Sequence, residues 1–97
     1  MTDERAEAIW KFEFEVTDTH KISMPQGSII LNVGSQRNGC ICIWAVVDPS
    51  KPREIITLHI RGTGHPMGEA KPERYIGTAF DGPFVWHLFL DTGRRSR

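Results

Sequence analysis

The sequence predicts an all-β protein, a single small antiparallel β-sandwich or rolled barrel of about seven strands. Three observations support this fold class. Apolar and polar residues alternate over short segments, for example over residues 10–16. Turn-forming pairs such as Asn38-Gly39 and Asp81-Gly82 separate these segments at short intervals. No apolar pattern with helical spacing is long enough to support a stable helix.

The first three predicted strands lie before the Asn38-Gly39 turn. Residues 10–16 alternate aromatic or apolar side chains with charged ones, which indicates a half-buried strand. Residues 21–24 form a short returning strand that ends at a proline and glycine turn. Residues 28–33 form the third strand, in which Ile29, Leu31 and Val33 are expected to share one face.

The remaining predicted strands include the longest one. Residues 40–47 are apolar on both faces, which predicts a central strand covered on both sides, with Trp44 in the core. Residues 53–61 form the long strand, with Ile56, Leu58 and Ile60 inward and residues 57, 59 and 61 facing outward or toward a groove. Residues 75–80 and 84–90 form the last two strands, on either side of the Asp81-Gly82 turn.

Length, charge and hydropathy restrict the organisation of the chain and its partners. The 97 residues fit one domain, predicted at 9–91, with a flexible lead-in at 1–8 and a basic flexible tail at 92–97. The 12 basic and 12 acidic residues cancel, which argues against nucleic acids and anionic membranes as partners. No apolar segment resembles a membrane span or a secretion signal, so we expect a cytoplasmic protein.

The cysteines and histidines form no convincing metal or catalytic motif. Cys40 and Cys42 are expected on one face of a strand, where a disulfide between them would be strained. A zinc site built from these cysteines with His59 and His87 would match no common ligand spacing, so we expect buried thiols and no metal. Cys42 lies in an apolar strand, where the pKa of a thiol rises. The sequence therefore predicts a protein without a cofactor that is not an enzyme.

The candidate binding site is the segment 61–66, at the start of the longest loop, residues 62–72. Gly62 and Gly64 permit close backbone approach, so their amides could cradle an anion. Thr63 offers a hydroxyl group, His65 offers an imidazole that can donate or accept a proton, and Arg61 can bind phosphate or carboxylate. The segment lacks the lysine and the helix of a phosphate-binding P-loop. The alternative interpretation is a simple turn whose glycines only satisfy backbone geometry.

The edge strands of a small β-sheet protein offer unpaired backbone groups to other chains. The first strand carries Lys11, Glu13 and Glu15 on its outward face. This strand could pair with a second copy of the chain or add to the sheet of another protein. We therefore expect self-association into a homo-oligomer.

Several short motifs follow one another in a distinctive order along the chain. They are Ile9-Trp10-Lys11, Met24-Pro25-Gln26-Gly27, Trp44-Ala45-Val46-Val47-Asp48-Pro49, Gly62-Thr63-Gly64-His65-Pro66, Tyr75-Ile76-Gly77-Thr78 and Val85-Trp86-His87-Leu88-Phe89. This order resembles a family of short phage and prophage proteins of unknown function, over residues 9–91. The resemblance implies a phage or prophage origin. It implies no reaction and supplies no catalytic residues.

The sequence thus predicts a small phage-type accessory protein in the cytoplasm of the bacterial host. It is expected to act by binding a host or phage protein, as a homo-oligomer, through a surface that includes residues 61–67 and His59. The alternative is a sequestering protein that captures an anionic nucleotide or another phosphorylated small molecule. In that case Arg61, Thr63 and His65 are expected to converge on one pocket.

Overall fold

The protein folds as a two-layer sandwich of antiparallel β-sheets. A computed structural model describes residues 7–37 and 39–91, and this part of the chain contains seven strands. They are β1 (Ala8–Glu15), β2 (Thr19–Pro25), β3 (Ile29–Arg37), β4 (Cys40–Val47), β5 (Arg53–Gly62), β6 (Tyr75–Asp81) and β7 (Phe84–Asp91). The all-β prediction is confirmed. The sandwich is favoured over a barrel because the strands divide into two open sheets.

Some predicted features lie outside the described residues. These are residues 1–6 of the lead-in, the basic tail at 92–97, and Asn38 of the predicted hairpin turn. Gly39 of that turn has a φ of +80°, a conformation that glycine adopts without strain. Pro72–Arg74 forms a short 3-10 helix within the long loop. The described part of the chain has no helix whose length and apolar character would let it cross a membrane.

The order of the strands in the sheets differs from their order along the chain. One sheet has the order β1-β4-β3, and the other has the order β2-β5-β7-β6. The edges are therefore β1 and β3 in the first sheet and β2 and β6 in the second. β3 and β6 approach each other closely across the sandwich, because a Cβ atom built on Gly77 would lie 2.7 Å from Cγ2 of Val33. Glycine at this position permits the close approach of the two sheets.

The hydrophobic core lies between the sheets and receives side chains from every strand. Its buried members are Phe14, Ile22, Met24, Val33, Ile41, Ile43, Ile56, Leu58, Ile60, Ala79 and Leu88. The predicted inward positions of β5 are thereby confirmed. Near the β1–β2 turn, the ring of His20 stacks on Phe14 with centroids 4.3 Å apart, and burial lowers the pKa of His20. Apolar contacts between the sheets therefore hold the sandwich together.

The predicted position of Trp44 in the core is wrong. Ile41 and Ile43 occupy the inward positions of β4, so Trp44 lies on the outer face of the three-stranded sheet and is only half-buried. Its indole ring covers Gly34 of β3, where a Cβ atom would lie 3.1 Å from Cζ3 of the ring. Because β4 is apolar on both faces, its alternation does not indicate which face is turned inward.

The predicted shared face of Ile29, Leu31 and Val33 is also wrong. The register between β3 and β4 shifts between Ile30 and Asn32, which is the signature of a β-bulge. Val33 is 6% exposed, whereas Leu31 is 51% exposed and Ile29 is 63% exposed. An extra residue in one strand reverses the alternation beyond it, so residues on either side of the bulge cannot share one face.

Candidate functional site

The segment 61–66 lies at one end of the sandwich, where β5 leaves its sheet. The backbone N–H of His65 donates to the carbonyl of Gly62 at 3.0 Å, which closes a tight turn. The N–H of Thr63 donates to the carbonyl of Val85 in β7 at 3.3 Å. Gly64 has a φ of +92°, which a side chain at this position would oppose. The loop is thus attached to the end of β7 by its own backbone.

The imidazole of His65 packs directly against Gly62, where a side chain would leave it no room. A Cβ atom at Gly62 would lie 2.8 Å from Nδ1 of His65 and 3.2 Å from Cζ3 of Trp86. The ring of His65 therefore lies over the backbone of Gly62 and beside the indole of Trp86. His65 as a whole remains exposed, so it can contact another molecule from a fixed position.

Arg61 fastens the loop to the rest of the domain. Its Nε atom donates to the carbonyl of Met67 at 2.8 Å, and its Nη1 atom donates to the carbonyl of Asp18 at 2.8 Å and to that of Ile60 at 3.1 Å. A Cβ atom on Gly68, which has a φ of +58°, would lie 3.2 Å from Nη2. The planar guanidinium thus bridges the β1–β2 turn and the long loop.

Replacing Arg61 with lysine is expected to loosen this loop. A single ammonium group cannot reproduce the fork of donors that reaches Met67 and Asp18. We expect the free energy of unfolding to fall by about 1–2 kcal/mol, as measured by urea denaturation. Amide hydrogen exchange of Ile60, whose N–H donates to Asp18, should accelerate. Arg74→Lys, in an exposed helical turn, is the control, and equal effects of both changes would contradict this role.

Thr63 belongs to a chain of hydrogen bonds across the outer face of the four-stranded sheet. Its Oγ1 atom lies 2.7 Å from Nε2 of His87, and Nδ1 of His87 lies 3.1 Å from Oγ1 of Thr78. That hydroxyl lies 2.5 Å from the hydroxyl of Tyr75. The side chain of Thr63 is therefore held toward β6 and β7 and is already engaged in a hydrogen bond.

His59 is separated from the exposed loop and is buried at 3% exposure. Its Nε2 atom lies 3.1 Å from Oδ2 of Asp91, and its Nδ1 atom lies 3.4 Å from Oγ1 of Thr19. It faces a groove of about 260 Å³, lined also by Glu69, Lys71, Glu73, Arg74, Leu90 and Asp91. Residue 59 therefore faces a groove, which is one of the two positions that the sequence predicted for it. Its low exposure leaves little imidazole surface for a partner.

Two grooves meet at His65 and Trp86, which line both of them. The larger groove has a volume of about 500 Å³ and is lined by Val16, Thr17, Asp18, Ile60, Arg61, His65, Pro66, Gly68 and Trp86. The smaller one, about 240 Å³, lies between residues 62–65 and residues 83–86. Arg61 and His65 therefore share a groove, whereas Thr63 lines only the smaller one with His65. Arg61, Thr63 and His65 therefore do not converge on one pocket. They line two neighbouring grooves, and of the three only His65 lines both.

Phe84 and Trp86 add an aromatic surface that the sequence pattern did not assign to the site. Their rings stack with centroids 5.8 Å apart and an interplanar angle of 24°. Phe84 is 55% exposed, and the Nε1 atom of Trp86 is buried without a hydrogen-bond partner among the described residues. Phe84 occupies an inward position by alternation, but it directly follows Pro83 at the turn of the β6–β7 hairpin. The position of Phe84 as the first residue of a strand, directly after a turn, is the sequence feature that could have predicted its exposure.

The cysteines lie on the outer side of β4, in the three-stranded sheet. Both are free thiols, Cys42 is buried, and burial raises the pKa of its thiol as predicted. Among residues 7–37 and 39–91, no three His, Cys, Asp or Glu side chains are grouped as metal ligands. Cys40, Cys42, His59 and His87 are accordingly not brought together in the described structure.

Comparisons with known proteins identify a family but no characterised relative. No curated protein and no solved structure gives a significant match. A family model described as a domain of unknown function (DUF7352) matches residues 5–97, which is nearly the whole chain. The protein therefore belongs to this uncharacterised family.

Proposed function

We propose that the protein is a small phage-type accessory protein that binds a host or phage protein in the bacterial cytoplasm and associates with itself. The contact surface is formed by Thr63, His65 and Pro66 of the loop together with Pro83 and Phe84 of the β6–β7 turn. We call it the loop–hairpin surface. The observation that carries the proposal is the exposed ring of Phe84, stacked on the half-buried Trp86 beside a firmly attached loop.

The composition of the loop–hairpin surface suits recognition of a protein. The exposed ring of Phe84, with the imidazole of His65 and two proline rings beside it, offers a large contact area with few rotatable bonds. The turn hydrogen bonds of His65 and Thr63 and the three carbonyl contacts of Arg61 hold the loop before any partner arrives. A preorganised loop loses little conformational entropy when it binds. The absence of a recognisable catalytic motif in the sequence is in keeping with a binding role.

A second candidate function is the sequestering of an anionic nucleotide or another phosphorylated small molecule. It is favoured by the groove of about 500 Å³ that Arg61 and His65 line together. Two observations place it second. Three donor contacts of Arg61 already reach backbone carbonyls, and the carboxylate-bearing Asp18 lines the same groove. An anion there would meet a partly satisfied guanidinium beside a negative charge.

The experiment that tests the first candidate compares two exposed aromatic residues. Phe84→Ala removes the ring beside the loop, whereas Phe80→Ala removes a ring that is 70% exposed and lines a different groove, with Ser35 and Arg37. Partners are captured from host cells carrying the phage, purified, and titrated by calorimetry against the wild type and both variants. We expect Phe84→Ala and His65→Ala to weaken binding at least about tenfold, and Phe80→Ala to bind normally.

Wild-type affinity of the Phe84→Ala variant for the purified partner would overturn the loop–hairpin surface as the contact. The second candidate has its own measurement, calorimetry of the wild-type protein against a panel of nucleotides and inorganic phosphate. Heat that saturates with a nucleotide and disappears in His65→Ala would support sequestering in place of protein binding. Absence of heat with every member of the panel removes that candidate.

A further inference from the structure

β1 is an edge strand whose pairing with β4 is regular along its whole length. Within the described part of the chain it pairs only with β4, and its register runs without a shift from Ala8 to Glu15. It contains no proline and no glycine. The side facing away from β4 therefore presents a regular row of backbone donors and acceptors, which is a template for pairing with another strand.

The other edges are less suited to pairing. β3 has register shifts at two places, and β6 has one between Tyr75 and Gly77. These two strands also approach each other across the sandwich at Val33 and Gly77. β2 ends in Pro25, which lacks a backbone donor, and its one formal charge is that of Lys21. The proline removes a backbone donor from this edge, and β2 has no acidic side chain that could pair with its lysine. β1 is therefore the edge most open to another strand.

The charges on β1 select a particular partner and a particular register. We propose that β1 pairs antiparallel with β1 of a second copy of this chain, about a twofold axis that passes through Phe12. In this register Lys11 lies opposite Glu13 of the partner subunit, and Glu13 lies opposite Lys11 of the partner subunit. Both pairs join opposite charges on the outer face of the sheet, where cross-strand neighbours interact directly.

Neighbouring registers place like charges on the twofold axis. Moving the partner strand by one pleat repeat in one direction places the two Lys11 side chains opposite each other. Moving it in the other direction places the two Glu13 side chains opposite each other, with Lys11 opposite Glu15 of the partner subunit on either side. Each alternative brings like charges together on the twofold axis, which opposes pairing. A shift by a single residue would turn the aromatic face of one strand to the charged face of the other.

The aromatic side chains on the inner face of β1 also fit this register. Trp10 lies opposite Phe14 of the partner subunit, and the two Phe12 side chains meet at the axis. Trp10 and Phe12 are only half-buried in one subunit, and their rings are 6.2 Å apart. Association therefore covers apolar surface and joins the two three-stranded sheets into one continuous sheet. This inference rests on the self-association included in the proposed function and assigns its interface.

The test reverses the charges on the purified full-length protein and measures its mass by sedimentation equilibrium over a range of concentrations. Lys11→Glu and Glu13→Lys each place like charges opposite one another in both symmetric pairs. We expect each change to weaken the dimer about tenfold or more. The double variant Lys11→Glu/Glu13→Lys restores both attractive pairs with reversed sign and should dimerise like the wild type. Lys21→Glu, on the edge strand β2, is the matched control and should not alter dimerisation.

Each variant is checked for folding by circular dichroism, because Glu13 also pairs with Arg37 at 3.0 Å. If one single variant does not fold, the other single variant and the double variant still decide the question. A monomeric wild type, a double variant that stays weakened, or a Lys21→Glu effect equal to that of Lys11→Glu would overturn the β1 interface. Loss of dimerisation with unchanged partner binding would leave the loop–hairpin proposal standing, because that binding is measured with separate variants.

Discussion

Replacing Leu58 with alanine is expected to lower the free energy of unfolding by about 2–5 kcal/mol. Leu58 lies in β5, inside the four-stranded sheet, and is 0% exposed. Removing most of its side chain takes apolar atoms out of the core and leaves a cavity between the sheets. Small domains are stabilised by about 5–15 kcal/mol in total, so this loss is a large share of the stability. Urea denaturation followed by circular dichroism measures it.

Ile55→Ala provides the matched control, since Ile55 lies in the same strand and is 56% exposed. Its truncation creates no cavity, so we expect a loss below about 1 kcal/mol. Equal losses for Leu58→Ala and Ile55→Ala would mean that residue 58 does not lie in the interior. The assignment of the inward face of β5 would then fail, and with it the present arrangement of the two sheets.

Replacing Gly77 with alanine is expected to cost about 1–3 kcal/mol of stability through overpacking. The new Cβ atom would lie 2.7 Å from Cγ2 of Val33 and 2.9 Å from its Cβ atom, inside van der Waals contact. Val33 is 6% exposed and β-branched, so it has little freedom to rotate away. β3 and β6 must therefore separate, or their side chains must leave preferred rotamers. Thermal and urea denaturation of the purified variant measure the loss.

A double-mutant cycle tests whether Val33 is the cause of that loss. Val33→Ala removes the methyl groups that would clash with the added Cβ atom. The double variant Val33→Ala/Gly77→Ala should therefore be more stable than the sum of the single losses predicts, by more than about 0.5 kcal/mol. Strict additivity of the two losses would show that Gly77 is not limited by its contact with Val33.

Most of the fold could be predicted because its signals are local. The alternation of apolar and polar residues reports the two faces of a strand, and pairs such as Asp81-Gly82 mark where a strand must reverse. The predictions were wrong where the position of a residue depends on another strand that is distant in sequence. The bulge at Leu31 depends on how β3 aligns with β4, and Trp44 lies outside because Ile41 and Ile43 face the other sheet. Neither condition appears in a short segment.

The candidate site was predicted in part, for a related reason. The segment 61–66 could be singled out because its residue types are suited to contact other molecules. The exposure of Phe84 was missed because alternation places it inward, whereas its position at the open end of the sandwich leaves it uncovered. A position along a strand indicates a face, but it does not show whether another element covers that face.

The sequence by itself determined the strand-rich composition, the number of strands, the position of the long loop, and the residue types within it. Only the tertiary structure decided what those residues contact. Arg61 can bind an anion as a free side chain, yet in the folded chain it donates to the carbonyls of Met67 and Asp18. The physical reason is that hydrogen-bond partners and burial are set by segments far apart in sequence, which meet only when the two sheets pack.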